Sequence, residues 1–102
     1  MAYKIITKKR FENKVAKLLE YLYDEWGETF AYNFNQTLNE SITLLSYQPA
    51  IGAQINALKN IRSILITKHN RVYHRIEENK IIIINMIDTR KNPKKNPFNT
   101  TT

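Results

Sequence analysis

Three runs rich in isoleucine, valine and tyrosine occupy the last third of the chain and restrict its fold more than any other feature. They are Ile61-Arg-Ser-Ile-Leu-Ile-Thr67, Asn70-Arg-Val-Tyr-His-Arg-Ile76 and Lys80-Ile-Ile-Ile-Ile-Asn-Met-Ile87. β-Branched and aromatic side chains suit a pleated surface. Only Lys68-His69 and Glu77-Glu78-Asn79 separate the runs, and breaks this short join antiparallel neighbours. The pattern predicts three consecutive strands of a meander. Successive strand side chains point to opposite faces, so Arg71, Tyr73 and Arg75 share one face while Val72, His74 and Ile76 share the other. The apolar set is expected to face the core, with His74 as a hydrogen-bonded core histidine. Arg71 and Arg75 then point outward with Tyr73 between them, and Arg62 on the preceding strand is a candidate to join them.

The first half reads differently. Residues 2–6 form a short candidate strand ended by Thr7, a residue type suited to capping a helix. Phe11, Val15, Leu18, Leu19, Leu22 and Trp26 then recur at the three- and four-residue spacing of one apolar helix face. Gly27 ends that helix, since glycine enters the left-handed terminal conformation without steric cost. Lys8, Lys9 and Arg10 fall in its first turn, where the helix dipole disfavours cations. They either extend a basic surface or are screened by solvent.

A second helix starts near Glu28-Thr29, with Phe30, Phe34, Leu38, Ile42 and Leu45 along one stripe, and Pro49 ends it. Two amphipathic helices joined this tightly read as an antiparallel hairpin whose apolar side buries against the strands. Tyrosines and phenylalanines in these helices are expected to be core packing. Residues 48–60 read as a connector with turn residues Pro49 and Gly52, and residues 91–102 as an irregular basic, proline-containing tail. The expected fold is α+β: a short N-terminal strand, an antiparallel helical hairpin, then a three-stranded antiparallel meander, in one small, mostly antiparallel sheet. A single domain over residues 1–90 is expected, followed by the tail.

Charge is unevenly spread. Residues 1–58 hold six basic and six acidic side chains, which cancel. Residues 59–102 hold ten basic against three acidic, which is the whole net charge of +7. Such an asymmetry points to nucleic acid, an acidic protein partner, or both. With no cysteine, disulfides and thiolate metal sites are excluded. Two histidines and no carboxylate pair at ligand spacing argue against metal catalysis, and two glycines leave no room for a phosphate-binding loop, so no cofactor is expected. The longest aliphatic run, Ile81 to Ile84, is far short of a membrane span, and no signal-peptide core precedes the first strand, so a cytoplasmic protein is expected.

The order of these elements, with basic residues at strand ends, resembles the RelE/ParE family of toxins from bacterial type II toxin–antitoxin systems. The likeness is carried by Leu44-Leu-Ser-Tyr-Gln-Pro-Ala-Ile-Gly52, Ile61-Arg62, Arg71-Val-Tyr-His-Arg-Ile76 and Ile81-Ile-Ile-Ile-Asn-Met-Ile-Asp-Thr-Arg90. It implies a small toxin wrapped by a cognate antitoxin, whose tail in this family is often acidic. RelE-like members cut mRNA on the ribosome; ParE-like members poison DNA gyrase and cut nothing themselves.

Metal-free RNA cleavage needs a base, an acid and cations for the phosphorane charge. On that reading Arg71 and Arg90 are the phosphate-binding pair, with His69 and Tyr73 as acid–base candidates. Arg62, Lys68, Arg75, Lys91, Lys94 and Lys95 would bind nucleic acid. Many nuclease members place a tyrosine or His-Tyr just beyond the last strand, where this chain has Asp88-Thr-Arg90. Ribosome-dependent mRNA cleavage is the leading expectation, gyrase inhibition the alternative, and a non-toxic partner-binding relative the third.

Overall fold

The three runs form neighbouring strands, and a computed structural model describes residues 2–89 around them. In chain order the elements are β1 (Lys4–Thr7), α1 (Lys9–Trp26), α2 (Glu28–Tyr47), β2 (Ala53–Asn56), β3 (Ile61–Thr67), β4 (Asn70–Glu77) and β5 (Lys80–Asp88). The sheet order is β1-β5-β4-β3-β2. β2 to β5 run as an antiparallel meander, and β1 pairs in parallel with β5 through Ile5 opposite Ile81 and Ile6 opposite Ile82. The expected α+β architecture is present, with one strand added. Part of the expected connector pairs as β2, with Ala53 opposite Ser63 and Gln54 opposite Arg62. Its sequence, Ala-Gln-Ile-Asn, carries a single β-branched residue, so the pairing comes from the neighbouring strand rather than from local propensity.

The hairpin must travel from one edge of the sheet to the other, because β1 and β2 are the two edge strands. Five strands about 4.8 Å apart make a crossing of roughly 19 Å. Both helices lie over one face, where Phe11, Leu22, Phe34, Leu38 and Leu45 pack with Ile66, Val72, Ile81, Ile83 and Met86. Each such side chain contributes about 1.5–3 kcal/mol by leaving water. Ile82 is buried too, yet belongs to the opposite face, as do Ile61 and Tyr73. The isoleucine run thus serves both faces, with Ile81 and Ile83 under the helices and Ile82 buried on the other side.

Gly27 alone joins the helices. Its N–H donates to the Tyr23 carbonyl at 2.9 Å, closing α1, while its own carbonyl accepts from Ala31 N–H at 3.2 Å, opening α2. Its φ of +96° is the positive value the sequence requires, but ψ is 172°, extended rather than left-handed helical. Thr7 is not the cap of α1: Lys8 takes that position without a side-chain bond, and the Thr7 hydroxyl donates to the Glu12 carboxylate. β1 holds Thr7 in the sheet opposite Ile83, one residue too early to cap.

The predicted apolar stripes fail at the hairpin tip. Trp26 and Phe30 are 65% and 51% exposed, and Tyr21, Tyr23, Tyr32 and Tyr47 are exposed as well, so these aromatics are not core packing. The four tyrosines lie off the two stripes, whereas Trp26 and Phe30 continue the apolar spacing past the part of the hairpin that packs on the sheet. Among the described residues, no helix is long and apolar enough to cross a membrane.

Candidate functional site

The β4 side chains alternate as their sequence requires, and the strand register decides which neighbours they meet. Leu65 lies opposite Arg71, Ser63 opposite Tyr73 and Ile61 opposite Arg75, all on the face away from the helices. There Arg71 Nη1 donates to Ser63 Oγ at 2.7 Å. Tyr73 sits between Ser63 and Asn85, and all three are at least 97% buried. The tyrosine therefore does not point into solvent between two arginines, as alternation alone suggested. It is part of a small second layer with Ile61 and Ile82, because a strand at the centre of the sheet has neighbours on both flanks. Arg75 forms an ion pair with Glu77 at 3.1 Å, half exposed and worth about 0–1 kcal/mol.

Arg62 is on the other face. It lies opposite His74, and its Nη1 donates to the Gly52 carbonyl at 3.2 Å, tying β3 to the segment that enters β2. It does not join Arg71 and Arg75. His74 is fully buried beside it, a core histidine as its parity implied, 3.1 Å from the Pro49 carbonyl oxygen. A carbonyl only accepts, so Nε2 carries the proton and donates. Nδ1 is buried without a partner among the described residues, which suits an unprotonated nitrogen. Burial pushes the His74 pKa below its ordinary 6.5; the Pro49 bond opposes this, and the Arg62 cation adds to it.

A depressed histidine pKa means the unfolded chain binds a proton more readily than the folded one. The His74 contribution is therefore full above about 6.5, the unfolded value, and falls as the pH drops from there towards the lower folded value. Urea midpoints are expected to decline over that window. His74→Gln, which keeps an N–H donor but does not titrate, will decline less steeply; parallel curves for the two proteins would contradict this assignment.

The β3–β4 turn carries Lys68 and His69. Thr89 fastens it to the end of β5, its N–H donating to the His69 carbonyl at 2.8 Å and its hydroxyl to the Lys68 carbonyl at 3.2 Å. His69 N–H and Asn70 Nδ2 both donate to Thr67 Oγ1, at 3.2 and 2.9 Å. Beside this turn, a groove of about 490 Å³ separates α1 from the Asn70 and Asp88 ends of β4 and β5. Lys14, Lys17 and Tyr21 of α1 line one wall, and Met86 and Ile87 lie across from them. Those three α1 positions were not singled out from the sequence. Their spacing of three and four residues on one helix face is the signal that would have found them.

The candidate residues thus divide. Arg71, Tyr73 and Arg75 share the face away from the helices; Arg62 lies beneath the connector; Lys68 and His69 are at the turn beside the groove. Arg90, Lys91, Lys94 and Lys95, with the expected tail, lie outside the described residues.

Residues 5–93 match the sequence model of the ParE toxin of the type II toxin–antitoxin system parDE. No curated protein matches in sequence. Among solved structures, the chromosomal ParDE system of P. aeruginosa is similar with a TM-score of 0.71 at 10% identity, over 85% of this chain and 96% of that one. The RelBE2 toxin–antitoxin complex of Mycobacterium tuberculosis has a TM-score of 0.59 at 14% identity, covering 86% of this chain and 99% of its counterpart. The E. coli DinJ–YafQ complex gives 0.58 at 12% identity, over 86% and 94%. At such identities these structures speak for the fold alone.

Proposed function

Since this chain belongs to the ParE toxin family of type II toxin–antitoxin systems, we propose that it arrests growth as a binding toxin directed at DNA gyrase, held in check by an antitoxin. The observation that carries this reading is where the acid–base candidates lie. Cleaving RNA without a metal requires a proton acceptor and a proton donor that both reach the reacting oxygens. Tyr73 is 3% exposed within the sheet's second layer, and His74 is committed to Pro49. His69 remains at the β3–β4 turn, about 13 Å from Tyr73 for four residues of extended chain at roughly 3.3 Å each. Arg71 is engaged by Ser63, as suits a residue that shapes a surface. Support also comes from the family match, which names ParE rather than RelE.

A binding toxin does not depend on proton transfer. His69→Ala and Tyr73→Phe are expected to arrest growth at doses within about threefold of the parent, at matched levels of folded protein. General acid–base catalysis contributes roughly 10²–10⁴-fold. A loss of that order in either variant would instead favour mRNA cleavage by His69 or Tyr73 with Arg71 and Arg90.

A further inference from the structure

The distal end of the helical hairpin has a character unlike the rest of the protein. Residues 18–58 contain five carboxylates (Glu20, Asp24, Glu25, Glu28 and Glu40) and no lysine, arginine or histidine, in a chain whose net charge is +7. At the junction of α1 and α2, Tyr23, Trp26 and Phe30 are each more than half exposed. The Trp26 and Phe30 rings stack across Gly27 with centroids 5.7 Å apart and planes 28° apart. Asp24, Glu25 and Glu28 alternate with them along the chain and are exposed. Leu22, Ala31 and Phe34, one turn away, are buried and fix both helices, so the aromatic group is presented on a rigid support.

Aromatic side chains are costly to leave in water, and Trp and Tyr dominate the energetics of protein interfaces. The charge selects the kind of partner. Nucleic acid and an acidic peptide would both be repelled. Two copies meeting tip to tip would set carboxylates against carboxylates. A lysine or arginine, by contrast, can place its cation over the Trp26 or Tyr23 ring, lay its methylenes along it and reach Glu25 or Glu28. We propose that the hairpin tip is a docking surface for a basic segment of a partner protein, with Trp26 and Phe30 as anchors and the flanking carboxylates as its polar rim. No lysine, arginine or histidine falls between residues 18 and 58, and the proposal does not depend on which target the toxin has.

Trp26 is the only tryptophan, so its fluorescence reports on this surface directly. The probes are two short amphipathic peptides of equal length, one of lysine and leucine and one of glutamate and leucine, added to the purified chain. The basic peptide is expected to shift Trp26 emission to the blue and saturate, although the protein's net charge opposes its approach; the acidic peptide will not. Combining Glu25→Lys with Glu28→Lys, two exposed sites where the helical circular dichroism will be retained, should weaken the basic peptide at least about tenfold.

Unchanged emission with the basic peptide, an equal response to the acidic one, or indifference to the charge reversal would overturn the proposal. So would a blue shift on concentrating the chain alone with sedimentation as a dimer, which would make a second copy the occupant. A response to a single-stranded oligonucleotide would assign the tip to nucleic acid and refute it equally.

Discussion

Gly52→Ala will destabilise this protein by on the order of 3–5 kcal/mol, a large part of the 5–15 kcal/mol typical of a domain. Two costs combine. Gly52 has a φ of +92°, where a side chain is strained by about 1–3 kcal/mol. A β-carbon there would also lie 2.2 Å from the Ser63 carbonyl oxygen and 2.7 Å from Ile64 Cγ2. The first is backbone in the middle of β3 and cannot yield without disturbing the β3–β4 ladder, so overpacking adds roughly 1–3 kcal/mol. The Arg62 bond to the Gly52 carbonyl would be disturbed as well. Gly27→Ala is the control. Its φ is +96°, yet a β-carbon would meet nothing within 4 Å, so only the backbone cost of about 1–3 kcal/mol applies. Equal losses for the two variants in urea unfolding would show that the close approach of Gly52 to β3 is not a constraint.

The second large effect separates two adjacent leucines. Leu45 is completely buried in the last turns of α2, whereas Leu44 beside it is 47% exposed. Leu45→Ala removes a side chain from the interface between the hairpin and the sheet and will cost about 2.7–5 kcal/mol, according to how far the site collapses. Leu44→Ala will stay within roughly 1 kcal/mol of the parent. The position matters for the whole architecture: the neighbouring Ser46 carbonyl accepts the Tyr3 N–H at 2.6 Å, so the same turn of α2 fixes the start of β1. Chemical denaturation of both variants decides this, and similar midpoints would mean that α2 is not seated as described.

Much of this fold is legible in the sequence, and the parts that are not have identifiable causes. Alternation in β4 places Val72 and His74 towards the core, as found, because pleating is local. Arg71 lies on the outer face as that alternation implies, but the side on which Arg62 lies follows from the Ser63–Tyr73 register, a relation between strands that alternation within one strand does not contain. β2 escaped notice because Ala53-Gln-Ile-Asn56 resembles a linker until β3 is beside it. Parallel pairing of β1 with β5 joins residues nearly eighty positions apart, which no local pattern encodes.

The hairpin tip teaches the opposite lesson. Trp26 and Phe30 obey helical periodicity and are nevertheless exposed, since periodicity says which way a side chain points but not where the covering sheet stops. The candidate site was legible only as a set of residue types. Tyr73 has the chemistry of a proton donor, but its burial with Ser63 and Asn85 depends on three strands coming together.

The central claim, a gyrase-binding toxin rather than a ribonuclease, is tested most directly with purified components. The chain, freed of its antitoxin, is added to DNA gyrase and relaxed plasmid, and in parallel to a translating extract in which mRNA 5′ ends are mapped. The account predicts lost supercoiling with accumulating gyrase–DNA breaks, and mRNA ends identical to those of the untreated extract. Normal supercoiling together with new cuts at ribosome-occupied codons would contradict it.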